Sequence, residues 1–265
     1  MDLLRHLREG SLEAAATELA SKIKAEPMRL EHRYGLACIL ALRGEFDRAE
    51  THLETIGAQD AGTLPGVQLY RSLLRCEKER SRVWKGVGVP RVAEGSDAFV
   101  RARATLPAAS AKLDQVTLQA VFGELDSEPG VLARVDGAET AVLRDSDDFL
   151  GPVLEVFASD AYLWQPMRGL RSLRIQAPTT LVDLIWARAE LVTTTGQSAS
   201  VHMPVLYAGS ASSKDALVRT GQKTEWTAVG ELGCRAFGGR VLVHGDRELG
   251  ILEVREIEFA ASSAP

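Results

Sequence analysis

Asp145, Asp147 and Asp148 crowd into one short stretch, and Glu155 follows a few residues later inside an apolar run, Val153 to Phe157. Alternating carboxylates can ligate calcium, but this pattern lacks the downstream glycine and bidentate glutamate that a calcium loop needs. The expected role is a turn in which Asp side chains accept from nearby backbone N–H groups. Glu155 needs a cationic partner. Arg168, Arg171 and Arg174 are the candidates in sequence, and such a half-buried pair serves fold specificity better than catalysis. His202, beside Met203 in a strand pattern, reads as a hydrogen-bonded packing residue. An enzyme or small-ligand site, the alternative to a binding protein, would have to lie near Asp145, Glu155 and His202. Cys234 precedes Arg235, a cation that could lower its pKa and make a reactive thiol; without a base nearby, a structural cysteine is the better reading.

No nucleophile elbow, phosphate-binding Gly-Lys-Ser/Thr loop or His-Glu-x-x-His helix occurs in the 265 residues. The three cysteines are far apart in sequence, without zinc-site spacing or the even count of a disulfide framework. The expectation is therefore no catalytic residue, no metal and no cofactor. A net charge of −5 argues against general polyanion binding, so no nucleic-acid partner is expected. The polar, amphipathic start of the chain resembles neither a signal peptide nor a membrane span, which predicts a cytoplasmic protein without membrane insertion. The sequence contains no Asn. Of the tryptophans, Trp164 and Trp186 lie in apolar runs and belong in a core; Trp226 is the candidate partner-binding residue.

The elements that must hold these residues change character along the chain. Apolar spacing predicts helices near 2–9, 11–25, 28–43, 45–56 and 64–85, then from Asp97 to Leu106 and from Ala108 to Phe122, closing at Glu128-Pro129-Gly130. Gly10, Leu12 and Ala15 are echoed by Gly44, Phe46 and Ala49 at a displacement of 34 residues, the tetratricopeptide (TPR) period. Arg71, Arg75, Lys78, Arg82 and Lys85 make a stripe along the fifth helix, read as a solvated face paired with Glu77 and Glu79. Beyond it, Val153 to Phe157 is a strand covered on both faces, and Ser159-Asp160-Ala161 a tight turn into Tyr162-Leu163-Trp164. Further strands are expected at Leu173 to Ile175, Ala189 to Thr194, Ala199 to Leu206, Val241 to Val243 and Leu249 to Ile257, about eight in all, with a short helix at Ser213 to Thr220. The fold class is α+β: an N-terminal TPR-like helical repeat region, 1–128, followed by a strand-rich domain, 129–265, built as a bent sheet or partly open barrel with short helices.

The string Asp147-Asp148-Phe149-Leu150-Gly151-Pro152-Val153-Leu154-Glu155, followed by Tyr162-Leu163-Trp164-Gln165-Pro166, resembles the ImpE/SciE (TagJ) family of type VI secretion accessory proteins. The likeness continues in order through Ala177-Pro178, Leu181 to Trp186, Pro204 to Ser210, Thr224-Glu225-Trp226 and Leu252 to Ile257. This chain departs from the family in having Gly233-Cys234-Arg235 for a Gly-Gln-Arg string and Leu206-Tyr207 for an Arg-Tyr pair. The resemblance implies a non-catalytic accessory protein of a bacterial contractile injection machine. It implies a partner as well, the N-terminal helix of the small sheath subunit, and through the sheath an influence on its handling by the disassembly ATPase.

Overall fold

A computed structural model describes residues 3–93, 98–125, 130–138, 141–230 and 233–260. The chain begins with α1 (Leu3–Arg8), α2 (Leu12–Ala25), α3 (Leu30–Leu42), α4 (Phe46–Gln59) and α5 (Leu64–Trp84). All five lie where apolar spacing puts them. Gly10 and Gly44 adopt φ of +70° and +73°, a left-handed conformation that costs glycine nothing. Each closes its helix with the paired bonds of a Schellman turn, Ser11 N to His6 O and Gly10 N to Leu7 O in one case, Glu45 N to Leu40 O and Gly44 N to Ala41 O in the other. The echoed Ala15 and Ala49 are both fully buried, so α2 and α4 approach α3 closely.

The segments expected as two further helices form three: α6 (Ala98–Arg103), α7 (Leu106–Ala111) and α8 (Gln115–Leu125). Pro107 sits in the first turn of α7, where its missing N–H is no loss, and Leu113 turns left-handed before α8 at φ 55°. The expected closure at Glu128-Pro129 lies outside the described residues. Among the described residues, no helix is long and apolar enough to cross a membrane.

The rest is strand-rich, with more strands than the eight expected. β1 (Arg91–Val92), β2 (Val131–Val135), β3 (Ala141–Asp145), β4 (Val153–Ala158), β5 (Ala161–Pro166), β6 (Leu170–Ile175), β7 (Trp186–Thr193) and β8 (Ser198–Pro204) come first. After a short α9 (Ala216–Arg219) come β9 (Thr224–Ala228), β10 (Cys234–Gly238), β11 (Val241–His244), β12 (Arg247–Gly250) and β13 (Glu256–Phe259). Eleven strands make one sheet in the order β1-β5-β4-β8-β7-β6-β13-β2-β3-β11-β12, and β9 and β10 pair separately. The β4–β5 hairpin turns through Ser159 and Asp160, both at positive φ, with Phe157 and Tyr162 opposite each other and edge-to-face at 6.0 Å. The strand expected over Leu249 to Ile257 is split. β12 ends at Gly250 after pairing with β11, and the chain turns before β13 enters between β6 and β2.

β4 is buried on both faces. Leu154 and Val156 join a core to which β2, β3, β6, β7, β8, β11 and β13 also contribute. Val153 and Phe157 join a larger core shared with α1 to α5. That shared core runs from Leu7 to Ala236, so helices and sheet bury one another's apolar faces.

Candidate functional site

Period-two alternation places Glu155 on the β4 face that meets the helices, between Val153 and Phe157. Its carboxylate is fully buried and is held by α5. Arg80 Nε donates to Oε1 at 2.9 Å and Nη2 to Oε2 at 2.8 Å, a bidentate pair. Trp84 Nε1, one turn on, donates to Oε1 at 2.8 Å, and Tyr162 OH donates to the same oxygen at 2.5 Å. Arg240, from the link between β10 and β11, donates from Nη2 to Oε2. It also donates from Nη1 to Asp145 Oδ2 at 2.6 Å and from Nε to the Pro204 carbonyl at 3.0 Å. Arg168, Arg171 and Arg174 do not reach Glu155. Arg171 and Arg174 lie on the exposed positions of β6, where Arg174 pairs with Glu256, and Arg168 sits over the Phe99 ring.

Arg240 touches both β3 and β4, which are separated by five strands in the sheet order. The sheet must curl to bring them together, and this arginine spans the gap.

Two of the three aspartates, Asp145 and Asp147, use their side chains as turn formers, while Asp148 does not. Asp145 Oδ1 accepts from Asp147 N at 2.9 Å, and Asp147 Oδ1 from Phe149 N at 2.9 Å. Their second oxygens are tied to distant segments, Asp145 to Arg240, Asp147 to Arg235 Nε at 2.9 Å and Ala236 N at 3.1 Å. Asp148 accepts from Arg144, from Cys234 N and from the Cys234 thiol. Tyr207 OH donates to Asp145 Oδ1 at 2.7 Å. Burial pushes Asp145 up to about 6 while Arg240 pulls it down. Burial also works to raise Glu155, but Arg80 and then Arg240 outweigh it and hold the carboxyl well below the usual range.

These groups cannot present a reactive carboxylate to a substrate. Asp145 and Glu155 have no exposed surface, Arg240 is 1% exposed and Arg80 3%. His202 stands apart on β8, opposite Phe157 and Arg188. It is half-buried, and its imidazole makes no hydrogen bond among the described residues, unlike the hydrogen-bonded packing role expected of it; burial followed by Arg188 lowers its pKa. Cys234 is not activated. Burial and the Asp148 carboxylate push its thiol up to about 12, and Arg235 turns away to Asp147 and stacks 3.8 Å over the Trp84 ring. Among the described residues, no group of three or more His, Cys, Asp and Glu could hold a metal ion.

Surface features complete the inventory. Trp164 and Trp186 are buried, whereas Trp226 on β9 is 43% exposed, its Nε1 donating to Ser146 Oγ at 3.2 Å. The α5 basic stripe is answered mainly by α4 and not by Glu77 and Glu79. Arg71 pairs with Glu50 and Glu54, Lys78 with Asp47 and Glu50, and Arg75 with Asp160. Glu77 and Glu79 pair with Arg80 and Arg91. An apolar cleft of about 540 Å³ opens between α1, the end of α3 and the segments around Leu181, Val205 and Leu252.

Sequence reasoning missed Arg80, Arg240 and Tyr207. Arg80 had a signal: Leu73, Cys76, Arg80 and Val83 form one buried stripe at helical spacing, so an arginine occupies an apolar position. Arg240, after Gly238-Gly239, had none.

Residues 137–258 match the model of the ImpE protein family. The type VI secretion system accessory component TagJ of Pseudomonas aeruginosa is 33% identical over 262 residues, covering 97% of this chain and 91% of that protein. A crystal structure of a Vibrio parahaemolyticus protein superposes with a TM-score of 0.88 over 98% of both chains at 20% identity, a likeness of fold. The helical region leading into a curled open sheet is shared with that Vibrio protein, and by its sequence the chain belongs to the ImpE (TagJ) family of type VI secretion system accessory components.

Proposed function

We propose that this protein acts in the cytoplasm by non-catalytic recognition of a type VI secretion sheath component, the N-terminal helix of the small sheath subunit. Through that contact it modulates how the disassembly ATPase handles the sheath. The observation that carries the reading is the 540 Å³ cleft, whose walls include Leu3, Leu7, Leu42, Leu184, Val205 and Leu252. An amphipathic helix buries an apolar stripe in such a groove. Leu4, 49% exposed at its rim, suits a side chain that is covered only when a partner is present.

On this reading the helical part, 1–128, works as a TPR-like holder and the strand-rich part, 129–265, as the opposite wall. Trp226, on the separate β9–β10 ladder, is a second candidate contact. The enzyme alternative is disfavoured by the arginines that occupy both carboxylates.

The test is a pull-down of the purified small sheath subunit, intact and lacking its first helix, with wild-type protein, Leu4→Glu and Trp226→Ala. Binding should require the helix and fall with Leu4→Glu. Undiminished capture of the helix-deleted subunit rejects the reading.

A further inference from the structure

α4 carries charge on two opposed faces. Asp47, Glu50 and Glu54 recur at helical spacing along one side, and α5 answers all three, Lys78 Nζ at 2.7 Å from Asp47 and 2.8 Å from Glu50, Arg71 at 3.1 Å from Glu50 and 3.0 Å from Glu54. Arg48, His52, Thr55 and Gln59 follow the same spacing on the far side. Arg33 comes alongside from α3.

Nothing comparable answers this second face. Glu45 is its carboxylate, shared between Arg43 and Arg48. Arg33 makes no ion pair among the described residues, and no protein atom accepts from its buried Nε; His52 Nδ1 is likewise buried without a protein partner. Burial lowers the His52 pKa, and the charges that add to the effect are both cations, Arg33 from α3 and Arg48 from α4 itself. Around His52 and Glu45, Arg33, Arg43 and Arg48 therefore outnumber the carboxylate on a chain whose net charge is −5, whereas at the Met28 end Glu26 and Glu31 lie beside Arg29. At the end of the stripe Met28 is 72% exposed, its sulfur 4.0 Å from Gln59 Nε2.

We propose that the α3–α4 face docks an acidic segment of a partner protein, seating a carboxylate between Arg33 and Arg48 over His52 and an apolar side chain on Met28. Charge complementarity selects the occupant. A guanidinium fork matches a carboxylate, whereas a nucleic-acid backbone needs a longer run of cations. The patch is local, since screening confines its field to about 8 Å at physiological salt. This inference does not rest on the sheath reading, which uses the cleft between α1 and the sheet.

The test is a solution NMR titration of the full chain with a hexaglutamate peptide, with hexathymidylate and hexalysine as comparison probes. Hexaglutamate should shift signals within residues 28–59, saturably, and raise the His52 titration midpoint. Arg48→Gln, at an exposed position, and Arg33→Gln should each weaken that binding by about tenfold, as expected for loss of a charge partner. Arg247→Gln, on β12, should not. Hexaglutamate shifts scattered over the surface, equal binding of hexathymidylate, or hexaglutamate binding indifferent to Arg48→Gln overturns the proposal. If the small sheath subunit still binds Arg33→Gln/Arg48→Gln, the sheath reading stands by itself; if it fails to bind wild-type protein while hexaglutamate binds, the reverse holds.

Discussion

Replacing Glu155 by Gln changes few atoms but removes the charge on which two buried guanidiniums depend. In the native protein the carboxylate accepts two hydrogen bonds from Arg80, one from Arg240, one from Trp84 and one from Tyr162. Gln keeps one acceptor oxygen and points an NH₂ group at donors. Breaking a buried pair by removing one partner costs about 3–5 kcal/mol, and for a chain of this size each kcal/mol is worth roughly 2 °C of Tm. The expected fall is therefore roughly 6–10 °C, read by calorimetry or by circular dichroism. A cycle distinguishes the charge argument from simple loss of packing. Arg80→Met/Glu155→Leu removes one charge of each sign and leaves Arg240 with Asp145, so it should regain much of the loss, with a coupling energy of about 2 kcal/mol or more. A fall in Tm under about 2 °C for Glu155→Gln, or strict additivity in the cycle, would refute the reasoning.

Three further outcomes follow from the same geometry. The folded-state pKa of Glu155 is depressed below its ordinary 4.5, so its contribution to stability is present above that value and is lost as pH falls through the folded value; the Tm gap between wild type and Glu155→Gln should narrow on acidification below about pH 4. Cys234, pushed up to about 12 by burial and Asp148, should react with a disulfide reagent at pH 8 far more slowly than a free thiol, and Asp148→Asn should speed the reaction. Gly10→Ala should cost about 2 kcal/mol or more in chemical denaturation, because φ is +70° and the new Cβ would lie 2.6 Å from Ala216 Cβ. Gly137→Ala, at φ +76° with open space around it, should cost only about 1 kcal/mol.

The helical region was legible because its rules are local. Gly10 and Gly44 each end a helix by a mechanism contained within a few residues, and the apolar stripes of α2 to α5 repeat within each helix, so the five early helices follow from spacing alone. The β4–β5 hairpin was legible for the same reason, since its turn residues and cross-strand aromatics are neighbours in sequence. β2 and β3 went unseen although β2 alternates buried and exposed positions, because Leu132 and Val142, 56% and 40% exposed, blur the contrast on which such a pattern depends. Which strand joins which was out of reach, because β13 enters between β6 and β2 from the far end of the chain.

Glu155 shows most clearly where local reasoning stops. Its need for a cation could be argued from its apolar neighbours, but charge alone favours whichever arginine is nearest in sequence, and that choice selects Arg168, Arg171 or Arg174. Strand geometry chooses differently. The pleat turns Glu155 toward α5, and the curl of the sheet brings the Arg240 loop over it, so its partners come from 75 residues upstream and 85 downstream. One carboxylate thereby joins a helix, a strand and a distant loop. Each arginine is desolvated only when all three are assembled, so the ion network favours the assembled arrangement over any other packing of the same pieces. The cleft walls lie on both sides of that joint, with Leu7 on α1 and Val205 beside the Pro204 carbonyl that Arg240 holds. Loosening Glu155 should therefore disturb the cleft as well as lower Tm, and on the proposed function Glu155→Gln should weaken binding of the sheath helix even at temperatures where the protein remains folded.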